Sequence, residues 1–182
     1  RQFNRNRGVG EIIDLEPRKY LVVIQHPVTT EYERSLDDAL ETAKAVDALL
    51  MPTVWIWPNM DAGSDGVSRA IRKYREEINP RHVHFHKSLP IEIFGPLLRN
   101  AGCIVGNSSS GIRESEFLGT PAVNVGSRQS GRQRGANVTD VDNNAGQIQQ
   151  AVEEQLRHGP YSPEFLYGNG HADKKVVAVL EA

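Results

Sequence analysis

The sequence predicts a Rossmann-like, three-layer α/β/α sandwich built on a parallel sheet. Two patterns carry that expectation. Short β-branched runs alternate with amphipathic stretches along the whole chain, beginning with Leu21-Val22-Val23-Ile24, the kind of unbroken apolar run found in strands buried on both faces. Helix-length stretches separate successive runs, so the strands cannot pair as tight hairpins. They must be joined by right-handed crossovers in a parallel sheet.

The elements follow in order. The first strand, Leu21–Ile24, stops at Gln25-His26-Pro27, because proline cannot donate to a ladder. Thr30 and Glu33 then fit a capping box, and Tyr32, Leu36, Ala39, Leu40, Ala43, Val46 and Leu50 recur at helical spacing. Residues 53–57 form the second strand, broken by Pro58-Asn59. Ser64 or Asp65 is expected to cap the next helix, with Val67, Ile71, Tyr74 and Ile78 facing inward. Residues 83–85 are the third strand, and 91–101 a helix with Phe94, Leu97 and Leu98 inward. Cys103–Gly106 is the fourth strand, 111–118 a short helix and Ala122–Val125 the fifth strand. A polar loop over 126–137 leads to a sixth strand at Val138–Val141. A helix marked by Ile148, Ala151, Val152 and Leu156, a loop over 159–170 and a terminal helix over 174–180 complete the chain. With no repeat and no internal boundary, residues 1–182 read as a single domain.

Composition narrows the function classes. The 182 residues are 38% hydrophobic and 24% charged, which suits one well-cored domain and excludes a disordered acidic tail or a membrane protein. A formal net charge of −2 offers no electrostatic attraction for nucleic acid. Cys103 is the sole cysteine, which excludes an internal disulfide and a cysteine-ligated zinc site and points to a reducing compartment. No apolar run approaches membrane-spanning length, and the stretch from Arg1 to Arg7 lacks the apolar core of a signal peptide. The expectation is a cytoplasmic protein with neither a membrane nor a nucleic-acid partner. The chain opens on Arg1 rather than methionine, which leaves a fragment of a longer protein as one reading.

In an open parallel sheet, ligands sit beyond the carboxyl ends of the strands, where the strand order reverses. That rule selects the loops at 26–30, 59–64, 87–90, 107–111 and 126–134. The strongest is Gly106-Asn107-Ser108-Ser109-Ser110-Gly111-Ile112-Arg113-Glu114. Here a strand hands over to a helix through three hydroxyls and two glycines, a composition suited to an anion such as phosphate. Glu114, on the first turn, can accept two hydrogen bonds from vicinal hydroxyls such as those of ribose. The same residues also satisfy a plain capping role, with Ser110 as N-cap and Glu114 as a first-turn anion. In the next loop, Arg128, Arg132 and Arg134 lie among three glycines. A guanidinium fork matches phosphate oxygens, although a solvated loop would use the same residues. His26 ends the first strand and Asn59 and Asp61 the second, where acid–base, hydrogen-bonding and turn roles are all open. His82, His84 and His86 alternate on one strand face, but no clustered carboxylate or cysteine completes a shell, so neither metal nor cofactor is expected.

Together these loops resemble the hydrolysing UDP-N-acetylglucosamine 2-epimerases of the sialic and legionaminic acid pathways. The resemblance rests on Gln25-His26-Pro27-Val28-Thr29-Thr30, Pro58-Asn59-Met60-Asp61-Ala62-Gly63-Ser64, the run from Ala101 to Ser109 and Gly111-Ile112-Arg113-Glu114. It continues through Gly119-Thr120-Pro121, Gly126-Ser127-Arg128-Gln129-Ser130-Gly131-Arg132 and Tyr167-Gly168-Asn169-Gly170. Pro27-Val28-Thr29-Thr30 stands where the non-hydrolysing relatives carry a charged run. The resemblance implies the C-terminal half of a glycosyltransferase-B-type fold, with the N-terminal domain of the same enzyme as partner and homo-oligomerisation left open. It implies that Ser108 and Ser109 bind a diphosphate, with Ser110 and Gly111 in the same loop, Glu114 the ribose and Arg128 the phosphate side. His26, Asn59 and Ser88 would line the cleft, with His26 as the local catalytic candidate. The implied reaction eliminates UDP from UDP-N-acetylhexosamine to give a 2-acetamidoglucal, which water converts to the manno-configured sugar. Carboxylates of the N-terminal domain would supply the base, so this chain alone should turn over little. Arg69 and Arg72, on one helix face, align with arginines of the animal enzyme's CMP-sialic acid feedback site, and a solvated basic face is the plainer reading. The other functions compatible with the sequence are the donor-binding domain of a glycosyltransferase and a non-catalytic nucleotide-binding module.

Overall fold

The structure, a computed structural model, describes residues 8–10 and 13–181. The Arg1–Arg7 stretch lies outside the described residues. Among the described residues seven strands form one sheet: β1 (Val9–Gly10), β2 (Leu21–Ile24), β3 (Thr53–Ile56), β4 (Val83–His86), β5 (Cys103–Gly106), β6 (Ala122–Val125) and β7 (Val138–Val141). Six α-helices accompany them: α1 (Ser35–Leu49), α2 (Ser64–Lys73), α3 (Ile91–Arg99), α4 (Glu114–Leu118), α5 (Ala145–His158) and α6 (Ala172–Leu180). The strand order is β1-β4-β3-β2-β5-β6-β7. Strands β2 to β7 all pair in parallel, as the crossover argument requires, whereas β1 adds an antiparallel edge to β4. The sheet is therefore mixed at one edge, and a two-residue strand is too short to leave a periodic signal in sequence.

Every residue of β2 to β6 is buried, because helices cover both faces. On one face Leu21, Val23, Trp55, Phe85, Val105 and Val123 pack with Ala39, Ala43 and Val46 of α1, Val67 and Ile71 of α2, and Ile148 and Val152 of α5. On the other, Val22, Ile24, Val54, Ile56 and Ile104 pack with Leu97 and Leu98 of α3, and Leu118 of α4 packs against that cluster. Among the described residues no helix is long and apolar enough to cross a membrane.

Three local expectations are corrected. The Thr30/Glu33 capping box does not form: Thr29–Arg34 is a 3₁₀ segment with non-helical backbone at Glu31 (φ −130°, ψ 28°), and α1 starts only at Ser35. A kink at that position breaks the spacing that the reciprocal bonds of a capping box need. Neither Ser64 nor Asp65 caps α2; the cap is Gly63, in a left-handed conformation (φ 87°). A Cβ there would lie 3.0 Å from the Pro27 Cβ and 2.9 Å from the Tyr32 Cβ, so close packing selects glycine over a capping side chain. Ile78 is 55% exposed rather than inward, because the chain beyond α2 continues as a π-turn over Tyr74–Ile78, which shifts the helical register.

Candidate functional site

The strand order reverses between β2 and β5, and the site lies just beyond their carboxyl ends. The two strands stay in register as far as Ile24 and Gly106. Gly106 has φ 123°, and a Cβ on it would collide with the Ile24 carbonyl, so only glycine lets the strands run this close at their ends. Immediately beyond them, His26 and Asn107 face each other. The Asn107 side chain accepts the His26 amide (2.7 Å) and donates to the His26 carbonyl (2.8 Å).

A cavity of about 320 Å³ opens there. It gathers His26 from beyond β2, Trp57 and Asn59 from beyond β3, Lys87, Ser88 and Leu89 from beyond β4, Ser108, Ser109 and Ser110 from beyond β5, and Arg128 from beyond β6. Five consecutive strand ends thus contribute to one wall. Among the described residues, two cations and four serines line it and no carboxylate does. A site of that composition attracts an anion and supplies hydroxyl donors to it.

His26 is 7% exposed, and its Nδ1 accepts the Asn59 backbone amide at 3.1 Å. Acceptance at Nδ1 places the proton of the neutral ring on Nε2. Burial holds the ring well below its ordinary pKa of 6.5, at about 4; the Arg128 guanidinium pushes the same way and Asp61 opposes it. His26 is therefore a neutral hydrogen-bond donor at pH 7 rather than a cation. Arg128 is anchored from two sides: Nη1 donates to the Asn107 carbonyl (3.2 Å), and Nη2 lies 3.7 Å from the Asp61 carboxylate. Gln129 donates to the same Asn107 carbonyl at 2.7 Å.

The serine loop differs from its expected form. Ser109–Gly111 is a 3₁₀ turn capped by Ser108, whose Oγ accepts the Ser110 amide (3.3 Å), and α4 starts only at Glu114. The amides of Gly111, Ile112 and Arg113 are already engaged with the carbonyls of Ser108 and Ser109. With a helix of five residues behind it, the loop cannot rely on a helix dipole; its donors toward the cavity are serine hydroxyls. Gly111 is buried and lies outside the cavity lining. Glu114 lines a second cavity of about 320 Å³ next door, walled by Ile91, Phe94, Leu98, Phe117, Leu118 and Tyr167. Phe94 borders both cavities.

Of the three arginines in the 126–137 loop, Arg128 alone lines the central cavity. Arg134 instead pairs with Asp140 at 3.1 Å, and Arg132 is exposed. Arg69 and Arg72 lie exposed on α2, outside the cavity, and the Arg72 guanidinium sits 6.0 Å from the centre of the Trp57 ring. His84 and His86 share a buried face of β4 with ring centres 4.8 Å apart, while His82 precedes the strand. Among the described residues no group of three His, Cys, Asp or Glu side chains could hold a metal ion. Cys103 is buried in β5, where burial pushes its thiol pKa far up, so it is unreactive. Sequence reasoning had Asn107 and Gln129 within its candidate loops without a role for either, and read Trp57 as the last residue of the second strand. The observed β3 ends at Ile56, which puts Trp57 just beyond it, and the pairing of Asn107 with His26 spans 81 residues and leaves no local signal.

The family model described as UDP-N-acetylglucosamine 2-epimerase matches residues 2–181. The chain is 31% identical over 162 residues to the UDP-N-acetylglucosamine 2-epimerase of Neisseria meningitidis, covering 89% of this chain and 42% of that protein. It is 30% identical over 165 residues to the UDP-N,N'-diacetylbacillosamine 2-epimerase (hydrolyzing) of Legionella pneumophila, covering 90% and 43%. The chain thus spans less than half the length of these curated relatives. The fold matches that of the Methanocaldococcus jannaschii UDP-GlcNAc 2-epimerase solved in complex with UDP-GlcNAc and UDP, with a TM-score of 0.64 and 16% identity over 89% of this chain and 44% of that one. The match over nearly the whole of its length shows that the chain belongs to the UDP-N-acetylglucosamine 2-epimerase family.

Proposed function

We propose that the chain is the nucleotide-binding half of a hydrolysing UDP-N-acetylglucosamine 2-epimerase. The observation that carries this reading is the central cavity, whose wall brings Lys87, Arg128 and four serines together and, among the described residues, includes no carboxylate, with Asp61 reaching Arg128 from outside the lining. A diphosphate in that cavity would accept hydrogen bonds from Ser108, Ser109 and Ser110 and a charge-assisted pair from Arg128. The neighbouring cavity suits the nucleoside: Glu114 offers a carboxylate to the ribose hydroxyls, and the apolar wall at Phe94 and Leu98 takes the base.

In the reaction, UDP leaves C1 as the C2 proton is removed, giving a 2-acetamidoglucal. Water then adds at C1 and a proton returns to C2 from the opposite face, releasing the N-acetylmannosamine-type sugar. The serine loop and Arg128 would stabilise the charge that develops on the departing diphosphate. His26, neutral with its proton on Nε2, would donate to an oxygen of that group, with Asn59 holding the ring and Ser88 on the same cavity wall. Removal of the weakly acidic C2 proton falls to the rest of the enzyme, so the 182-residue chain is expected to bind UDP but to release little sugar.

Calorimetric titration of the chain with UDP, GDP and UDP-N-acetylglucosamine tests the reading. UDP should bind, and Arg128→Ala and Glu114→Ala should each weaken it by about 1.5–3 kcal/mol, the worth of a charge-assisted contact. Unchanged affinity in both variants would overturn the site assignment.

A further inference from the structure

We propose that Asn107 is the positioning residue that sets His26 and Arg128 together, its side chain holding one and its carbonyl the other. The inference about Arg128 rests on the nucleotide reading above; the inference about His26 does not.

β2 and β5 run in register to Ile24 and Gly106 and then part, because each feeds a different crossover. Past that point His26 has no strand to pair with on this side, yet it is 7% exposed. A buried backbone amide and carbonyl left unpaired would be costly. The Asn107 side chain satisfies both, accepting from the His26 amide at 2.7 Å and donating to its carbonyl at 2.8 Å. An asparagine amide presents one acceptor and one donor side by side, as a strand's own peptide group does, so it extends the ladder by one residue across the reversal. Asn107 is itself 2% exposed and is tied to the sheet through its amide, which donates to the Ile24 carbonyl at 3.1 Å. Its carbonyl then accepts from Arg128 (3.2 Å) and from the buried Gln129 (2.7 Å), and so fixes the start of the arginine loop. A displacement of this one residue moves the imidazole and the guanidinium at once.

The test is Asn107→Leu, which keeps the branched shape and number of heavy atoms, adds no charge and removes both side-chain bonds to His26. Two readouts are taken on the folded variant: the ¹⁵N resonances of the His26 ring without ligand, and the Kd for UDP. We expect the His26 ring to lose its wild-type pattern, with Nδ1 as acceptor and Nε2 protonated, and UDP affinity to fall at least about tenfold, the size of one lost charge-assisted contact. Thr42→Val serves as the stability control, because it removes the buried Thr42–Gln25 hydrogen bond one residue before His26 without touching Asn107. It should leave both readouts as in wild type.

An Asn107→Leu variant with a wild-type His26 ring, or with unaltered UDP affinity where the wild type binds UDP, overturns the proposal. So does an equal effect from Thr42→Val. Should Asn107→Leu not fold, the wild-type chain decides: UDP should shift the Asn107 side-chain amide and the His26 ring with one common Kd, and an amide that stays still while the ring titrates overturns it. Failure of the wild-type chain to bind UDP would refute the nucleotide reading alone, since the His26 arm needs no ligand.

Discussion

At the scale of single residues, the electrostatics of His26 make a claim with a definite sign. Burial and the Arg128 guanidinium lower its pKa from 6.5 to about 4, while Asp61 works in the opposite direction. A histidine titration followed by NMR should therefore place His26 near 4. Arg128→Gln should raise that value by removing a neighbouring cation, and Asp61→Asn should lower it further by removing an anion. A ring that titrates at 6.5 in all three proteins would refute this electrostatic account. Much of the candidate cavity's lining was legible in the sequence, because strand ends in a parallel sheet are a short list: His26, Asn59, Ser88, the serines and Arg128 all stand in loops that follow predicted strands. Asn107 was hidden in the same stretch as the serines. Its task is fixed by a partner distant in sequence, and no local pattern encodes that.

At the scale of elements, the strands were readable and only some helix starts were: α3 begins at Ile91 as expected, whereas α1 and α4 begin later. Unbroken apolar runs such as Leu21–Ile24 and Cys103–Gly106 signal burial on both faces, and four strands begin and end as the sequence predicts. Helix starts failed where backbone geometry replaced side-chain caps, at Glu31 and at Gly63. Glycine at Gly106 is the element-scale feature on which the site depends, because it permits the approach of β5 to β2 at φ 123°. Gly106→Ala should destabilise the fold by roughly 2–3 kcal/mol, from unfavourable backbone conformation together with the clash at Ile24. Denaturant unfolding would show this as a lower midpoint at constant slope. A substitution costing no more than an ordinary surface change, within about 0.5 kcal/mol, would contradict the close approach of the two strand ends.

At the scale of the whole molecule, His26 and His86 share a consequence. Both are pushed down to about 4, His26 by burial, Arg128 and, opposing, Asp61, and His86 by burial and His84. A histidine held neutral by the fold binds protons more weakly in the native than in the unfolded chain. Its contribution to stability is therefore complete above pH 6.5 and is lost as pH falls from 6.5 toward 4. Calorimetric Tm values should decline through that window, before most carboxylates titrate, and a flat profile across it would contradict the burial of the two rings. The overall architecture was legible because alternation of strands and helices leaves few topologies open. The edge strand β1 and the division of the candidate site into two adjoining cavities were not, since both arise from how distant segments pack. Whether a nucleoside diphosphate is held where β2 and β5 part is decided by a crystal structure of the chain with UDP. Diphosphate oxygens should lie within hydrogen-bonding distance of the Ser108, Ser109 and Ser110 hydroxyls and the Arg128 guanidinium, with the ribose against Glu114. UDP bound elsewhere, or an empty cavity at saturating UDP, would contradict this placement.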